Sequence, residues 1–193
     1  MTSIGLVGAR TENVRLCLRF ALVLALSLSP LASATLEQLS LDDMIQKSTA
    51  IVRGTVASSR TAAQGPIVYT HYSIRVTEQF KGSSQGTVDV AVPGGTANNV
   101  RQTFAGTPQF QTGDDYVFFL WTGRSGLTQV IGLTQGLFAL SQGTAESPRA
   151  TRAASREVML ERGTGRQVKD QTIVMNLNDL RARIASVLNG GGK

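Results

Sequence analysis

A long run without glycine or proline, Ile67–Phe80, constrains the fold of this chain more than any other feature. Its sequence, IVYTHYSIRVTEQF, places apolar side chains at every second position through Tyr72, Ile74 and Val76. A period of two is typical of a β-strand with one buried face, whereas a helix needs a period near 3.6. A strand of this length needs partner strands, so the run predicts a mainly β fold.

Five further segments have the same β character and are separated by turn residues: Ala50–Val56, Thr87–Val92, Tyr116–Trp121, Leu127–Leu133 and Gly136–Leu140. Alternation in the most apolar segment places Tyr116, Phe118 and Leu120 on one face and Val117, Phe119 and Trp121 on the other. The polar stretches 60–66 and Thr96–Gln111 are predicted loops. Six strands with tight turns favour a small barrel, closed or half-closed, because closure removes exposed sheet edges.

Two helices are predicted at the ends of the mature chain. Near the start, Ser40 is suited to cap a short helix that ends near Lys47. Near the end, the segment Asn178–Leu188 places Leu180, Ile184, Val187 and Leu188 on one face, which is typical of an amphipathic helix that packs on a sheet. Between them, residues 143–175 contain few large apolar side chains and predict a partly disordered linker. The predicted organisation is therefore a β-barrel domain over 35–142, the linker, and a C-terminal helix and tail over 176–193.

The first 34 residues have the three-part pattern of a cleaved secretory signal peptide. Three arginines (Arg10, Arg15 and Arg19) precede the apolar run Phe20–Leu28, and Ala32-Ser33-Ala34 supplies small residues for cleavage after Ala34. The apolar run is shorter than the ~20 residues that span a bilayer. The pattern predicts an exported protein, periplasmic or secreted, without a transmembrane segment after signal removal.

Cysteine and charge exclude several classes of function. The only cysteine, Cys17, lies in the predicted signal peptide, so the mature chain has no thiol for a disulfide or a metal site. The basic excess lies in residues 141–193, which carry nine basic and five acidic residues and no aromatic one. Nucleic-acid binders combine clustered basic residues with aromatic partners. No nucleic-acid, metal or cofactor site is therefore predicted.

Candidate catalytic groups are few. His71 is the only histidine, and its place in a strand indicates an ordinary sheet residue. The pairs Asp42-Asp43 and Asp114-Asp115 are sequence neighbours whose side chains point apart, so capping and turn roles are expected. Neither is followed by a calcium-loop pattern. No catalytic residue is predicted.

The glycine-rich and aromatic motifs also favour structural roles. Pro93-Gly94-Gly95 and Gly132–Gly136 do not open a helix after a strand, so turns or barrel corners are expected rather than a phosphate site. Tyr69, Tyr72 and Trp121 are either an aromatic binding strip or buried strand residues, and burial is the favoured reading.

Five motifs give the chain a resemblance to an uncharacterised group of exported bacterial proteins: Ala50–Val56, Phe80-Lys81-Gly82, Val92–Gly95, Gly113–Leu120 and Val130–Gly136. That group is similar in strand pattern to OB-fold-like barrels of the netrin and tissue-inhibitor-of-metalloproteinase type. The resemblance implies an OB-fold-like barrel over roughly residues 36–140. It does not extend to the mechanism of those inhibitors, because they place an N-terminal cysteine on the protease metal and this mature chain has none.

Three functions follow as hypotheses. The leading one is an exported, non-catalytic binding or interaction domain with an unknown protein or envelope partner, because the residues offer no catalytic set. The first alternative is a secreted protease inhibitor that inserts the Thr96–Gln111 loop. The second is a hydrolase that brings carboxylates together from distant segments.

Overall fold

The computed structural model describes residues 35–141 and 148–190. The predicted signal peptide with its cleavage site at Ala34, residues 143–147 of the predicted linker, and residues 191–193 lie outside the described residues. Within the described ranges the chain is mainly β with two helices, which confirms the mainly β part of the predicted fold.

The strands follow one another with short connections along most of the chain. They are β1 (Thr35–Glu37), β2 (Ala50–Gln64), β3 (Ile67–Lys81), β4 (Thr87–Pro93), β5 (Gly95–Ala97), β6 (Val100–Gln102), β7 (Asp115–Thr122), β8 (Thr128–Val130), β9 (Leu137–Ser141), β10 (Arg149–Arg152), β11 (Val158–Leu160), β12 (Gln167–Val168) and β13 (Ile173–Asn176). The helices are α1 (Leu41–Lys47) and α2 (Leu177–Gly190).

The main sheet is built around the two long strands. Its order is β13-β10-β9-β7-β2-β3-β4, and β8 pairs with β7 on the same edge as β9. Register shifts in the β2–β3 ladder bend and twist the sheet. At one of them Gly54 lies so close to β3 that a Cβ atom there would be 2.6 Å from the Arg75 carbonyl oxygen. The close approach of the two strands therefore requires glycine at this position.

Strand β7 separates two hydrophobic clusters, as its alternation predicted. Phe118 and Leu120 are fully buried in a cluster with side chains of β2, β3 and β4. Val117 and Phe119 are fully buried on the other face, where α1 and α2 cover the sheet. The predicted assignment of the two faces is confirmed. Burial on both faces makes β7 the centre of the fold.

Helix α1 begins and ends at identifiable side-chain contacts. The Ser40 hydroxyl accepts a hydrogen bond from the Asp43 backbone N–H at 3.0 Å, so the predicted N-cap is confirmed. At the other end, Lys81 Nζ donates to the carbonyl oxygens of Ile45 and Gln46, both at 2.8 Å. A cation at a helix C-terminus is favoured by the helix dipole, although burial lowers the pKa of Lys81. This contact gives the Phe80-Lys81-Gly82 motif a structural role.

Helix α2 packs on the sheet through Leu177, Leu180 and Ile184, which are buried in the cluster below β7. Two arginines on its exposed side form ion pairs: Arg181 Nε lies 2.7 Å from Glu78 on β3, and Arg183 pairs with a carboxylate on α1. The predicted amphipathic helix and its packing are confirmed. Neither helix in the described part of the chain is long and apolar enough to cross a membrane.

The sheet is not closed into a barrel, so the predicted closed barrel is not confirmed. Strand β8 lies beside β4, but no ladder joins them. Strand β4 ends at Pro93, which has no N–H to donate, and β8 has only three residues before the chain turns at Gly132 and Leu133. Beyond β7 the sheet instead continues through β9, β10 and β13.

The structure also differs from the predicted linker over 143–175. Its described part, from residue 148 onward, contains β10, β11, β12 and most of β13. Strand β10 pairs with both β9 and β13, and β11 pairs with β1 and β12. These strands have two to four residues, too few to show an alternating pattern. One of them, β10, buries Ala150 but also Arg152, whose ion pair with Asp170 an apolar pattern does not reveal.

Both predicted polar loops are partly strand. Residues 60–64 continue β2, and the chain turns only at Gly65, which has a φ of 59°. The ribbon formed there by β2 and β3 is largely exposed on the β2 side, so it shows no hydrophobic alternation. The predicted loop Thr96–Gln111 begins with the β5–β6 pair before it becomes irregular.

Candidate interaction surface

The β5–β6 pair is a tight hairpin that lies against the β2–β3 ribbon, because Thr61 of β2 and Val68 of β3 are hydrogen-bonded to it. Its turn residues, Asn98 and Asn99, have φ values of 50° and 60°. Positive φ at both central positions is typical of the turn that joins closely paired strands, and asparagine tolerates it better than most residues. The hairpin therefore has a defined backbone conformation. Residues 95–104, which comprise this hairpin and the two residues after it, are called the hairpin segment below.

Hydrogen bonds from Gln102 of β6 and to the backbone of Thr96 in β5 anchor the hairpin segment to the β2–β3 ribbon. The Gln102 amide spans the ribbon's end, since its Oε1 accepts from the Val68 N–H at 2.7 Å and its Nε2 donates to the Pro66 carbonyl at 2.8 Å. The Thr61 hydroxyl donates to the Thr96 carbonyl at 2.7 Å. These contacts fix the hairpin by hydrogen bonds rather than by apolar burial.

A second anchor lies where β4 meets the hairpin. The Thr70 hydroxyl donates to the Gly94 carbonyl at 2.8 Å. Gly95 has a φ of 128°, and a Cβ atom there would be 2.7 Å from the Thr70 hydroxyl oxygen. The Pro93-Gly94-Gly95 motif therefore forms a tight connection between β4 and the hairpin, which agrees with the turn that the sequence predicts.

The hairpin segment exposes apolar and cationic side chains. Four large apolar side chains are exposed in the described residues, and two of them are Val100 (50%) and Phe104 (39%). Arg101, between them, is exposed and forms no ion pair with a described residue. Aromatic side chains and arginine are enriched at protein interfaces. The segment thus combines a fixed backbone with the side chains that interfaces favour.

Three concave regions border the chain that follows the hairpin, and Pro108 lines all of them. A cavity of about 220 Å³ lies between the hairpin segment and strands β3 and β4. A larger one, about 610 Å³, lies between residues 105–110 and residues 153–157, over Tyr116. Burial, and secondarily the nearby Asp114 carboxylate, raises the pKa of Tyr116. A groove of about 290 Å³ passes Trp121 and Leu36.

The candidate histidine has an acidic neighbour that the sequence did not reveal. Pairing of β3 with β4 places Asp89 Oδ2 2.8 Å from His71 Nδ1, and Arg60 lies 3.2 Å from the same carboxylate oxygen. The two residues are 18 positions apart, so only the strand register brings them together. Among the described residues no serine hydroxyl is hydrogen-bonded to the other ring nitrogen, so the pair lacks an aligned nucleophile.

The neighbouring carboxylates serve caps, turns and ion pairs. Asp43, in the first turn of α1, accepts a hydrogen bond from the hydroxyl of the N-cap Ser40 at 2.7 Å, and its neighbour Asp42 pairs with Arg183 of α2 at 2.8 Å. Asp114 accepts from the Gln111 N–H at 2.8 Å and closes a turn, whereas Asp115 pairs with Arg53 at 2.7 Å. The hydrogen bond from Ser40 is the main cause that lowers the pKa of Asp43. These four carboxylates do not converge on one point.

The Gly132–Gly136 motif surrounds a buried glutamine. Gln135 is only 1% exposed, and its Oε1 accepts from the Leu39 N–H at 2.8 Å while its Nε2 donates to the Glu37 carbonyl at 3.0 Å. Gly132, with a φ of 61°, leaves room for this side chain. The motif therefore ties the chain after β1 to the loop between β8 and β9.

The three candidate aromatic residues do not form one exposed strip. Tyr72 is buried, with its ring 4.8 Å from that of Phe110. Tyr69 lies beside His71, at a ring separation of 6.4 Å. Trp121 is 46% exposed and lines the groove near Leu36. Phe110, which lies in the predicted loop Thr96–Gln111, is buried in the core.

A buried ion pair in the described part of the chain is an electrostatic feature that sequence reasoning missed. Arg152 of β10 and Asp170 are both buried, with Nη2 2.8 Å from Oδ1 and Nη1 3.1 Å from Oδ2. Asp170 also accepts from the Ser155 N–H at 2.7 Å. Burial opposes ionisation of Asp170, but these hydrogen bonds and the arginine charge outweigh it and lower the pKa.

In the described part of the chain, no group of three or more histidine, cysteine, aspartate or glutamate side chains could hold a metal ion. Comparison of the chain with protein-family models, with curated proteins and with solved structures gave no match. The likeness to OB-fold-like exported proteins therefore rests on the sequence motifs alone.

Proposed function

We propose that this chain is an exported, non-catalytic binding domain that recognises a protein partner through the hairpin segment. One observation carries the proposal: an exposed hairpin is held rigidly by several side-chain hydrogen bonds while presenting Val100, Arg101 and Phe104 to solvent. A segment fixed before binding loses less conformational entropy when it binds. Rigid anchoring of an exposed segment buries little apolar surface and so adds little to folding stability, but it favours recognition.

Site-specific photo-crosslinking tests this proposal. A photoreactive phenylalanine analogue at position 100 should form a covalent adduct with a partner protein in cells that produce the chain. The same analogue at position 174 is a matched control, because Val174 is 52% exposed and Val100 is 50% exposed. Adducts are expected at position 100 and not at position 174. Adducts at neither position, or only at 174, would contradict the proposed surface.

A second variant shows whether the adduct depends on partner binding or only on the exposure of position 100. Phe104→Ser should reduce the adduct formed from position 100, because a central aromatic side chain commonly contributes a large part of the binding energy. Trp121→Ser, which changes an exposed aromatic residue outside the hairpin segment, should leave that adduct unchanged.

Export is part of the proposal and rests on the arginines, the apolar run and the small residues that precede Thr35. The exported protein is expected to begin at Thr35. N-terminal sequencing of the protein recovered from periplasm or culture medium measures this directly, and recovery there with Met1 intact would refute it.

The half-closed, OB-fold-like barrel also remains a proposal. It is supported by the succession β8-β7-β2-β3-β4, in which β8 comes to lie beside β4. Amide hydrogen exchange tests the half-closed state, in which no ladder joins β4 to β8. In that state the Ala91 amide should exchange faster than the Val90 amide.

The protease-inhibitor alternative is favoured by one specific feature, the exposed Arg101 on the anchored hairpin. The hydrolase alternative has less support. The one carboxylate that is buried among the described residues, Asp170, pairs with Arg152 rather than with a second carboxylate.

A further inference from the structure

We infer that the hairpin segment binds the active-site cleft of a serine protease of trypsin-like specificity, with Arg101 in the specificity pocket. The inference rests on the proposed function and names its partner class. Arg101 is exposed, lies at the centre of β6 and forms no ion pair with a described residue. Proteases that cleave after arginine carry a carboxylate at the base of that pocket, so the charges are complementary.

The backbone of Arg101 is available for pairing with a protease. In the hairpin, Ala97 and Val100 flank the two-residue turn, and the next pair is Thr96 with Arg101. Antiparallel pairs alternate, and the residues that flank such a turn form the hydrogen-bonded pair. The N–H and C=O of Arg101 therefore point away from β5. A peptide in a protease cleft adds an extended strand through main-chain groups of this kind.

The residue after Arg101 holds the backbone in place. Gln102 bonds both the Val68 N–H and the Pro66 carbonyl, at 2.7 and 2.8 Å. The facing residue of β5, Thr96, is held by the Thr61 hydroxyl. An arginine in a flexible loop is an ordinary cleavage site. An arginine in an extended segment that is held at the next residue and at the facing strand binds with little loss of entropy and resists the distortion that cleavage requires.

Binding to anhydrotrypsin, a trypsin in which the nucleophilic serine has lost its hydroxyl group, tests the inference without cleavage of the chain. The purified protein is expected to bind it more tightly than about 1 µM, and to inhibit active trypsin in competition with a small arginine substrate. Arg101→Ala should weaken binding about 100-fold or more, and Arg101→Lys, which keeps the positive charge, should weaken it less than Arg101→Ala does.

Two controls make the outcome specific. Arg124→Ala removes another exposed arginine, in the turn between β7 and β8, and should leave binding unchanged. Chymotrypsin should not be inhibited by the unaltered protein. No binding of anhydrotrypsin, or rapid cleavage after Arg101 by active trypsin, would overturn the inference. If crosslinks at position 100 are still found in that case, the hairpin segment binds a protein partner, and only the proposal that this partner is a trypsin-like protease is wrong.

Discussion

Replacement of Phe119 by alanine is expected to lower the free energy of unfolding by about 3–5 kcal/mol, and replacement of Phe118 by a similar amount. Both rings are fully buried, but in different clusters: Phe118 contacts the apolar side chains of β2, β3 and β4, and Phe119 lies under the two helices. A small domain is stable by about 5–15 kcal/mol, so either change removes a large share.

Urea denaturation followed by circular dichroism measures these losses. Phe104→Ala is the matched control, because that ring is 39% exposed and its loss should change stability by less than about 1 kcal/mol. If the alanine variants do not accumulate in soluble form, Phe119→Leu keeps most of the volume and should cost less than about 2 kcal/mol. Phe118→Ala and Phe119→Ala proteins as stable as the Phe104 variant would show that β7 is not the centre of the fold.

The second large effect concerns the buried ion pair. Arg152→Met should destabilise the protein by about 3–5 kcal/mol, because it leaves the buried Asp170 carboxylate without its cation. A double variant, Arg152→Met with Asp170→Leu, should recover most of that loss, since no buried charge remains. Arg166→Met, which breaks an exposed pair with Glu161, should have no measurable effect.

The same pair predicts a pH dependence. The pKa of Asp170 is lowered in the folded protein, so the unfolded chain binds this proton more readily. The stabilisation is therefore fully present above the pKa of Asp170 in the unfolded chain, which is about 4. It is lost as the pH falls from there toward the lower pKa of Asp170 in the folded protein. The double variant has no such pair. Its free energy of unfolding, measured by denaturation at pH 7 and at pH 3, should therefore fall less between the two pH values than that of the unaltered protein. An equal loss in the double variant and the unaltered protein would show that other carboxylates cause it.

The sequence by itself determined the features that depend on local periodicity. The alternation in Ile67–Phe80 and Tyr116–Trp121 defined two strands and both faces of β7, and Ser40 marked the start of a helix. A side chain's face follows from its position within one element, so neighbouring residues carry the information.

The tertiary structure decided the contacts that join distant segments. His71 meets Asp89 because β3 pairs with β4 in one register, and Arg152 meets Asp170 across 18 residues. The strands of 148–176 are too short for a period, and the rigid anchoring of the hairpin segment depends on Gln102 reaching the ribbon of β2 and β3. Register and strand order arise from the packing of the whole chain, and local sequence does not encode them.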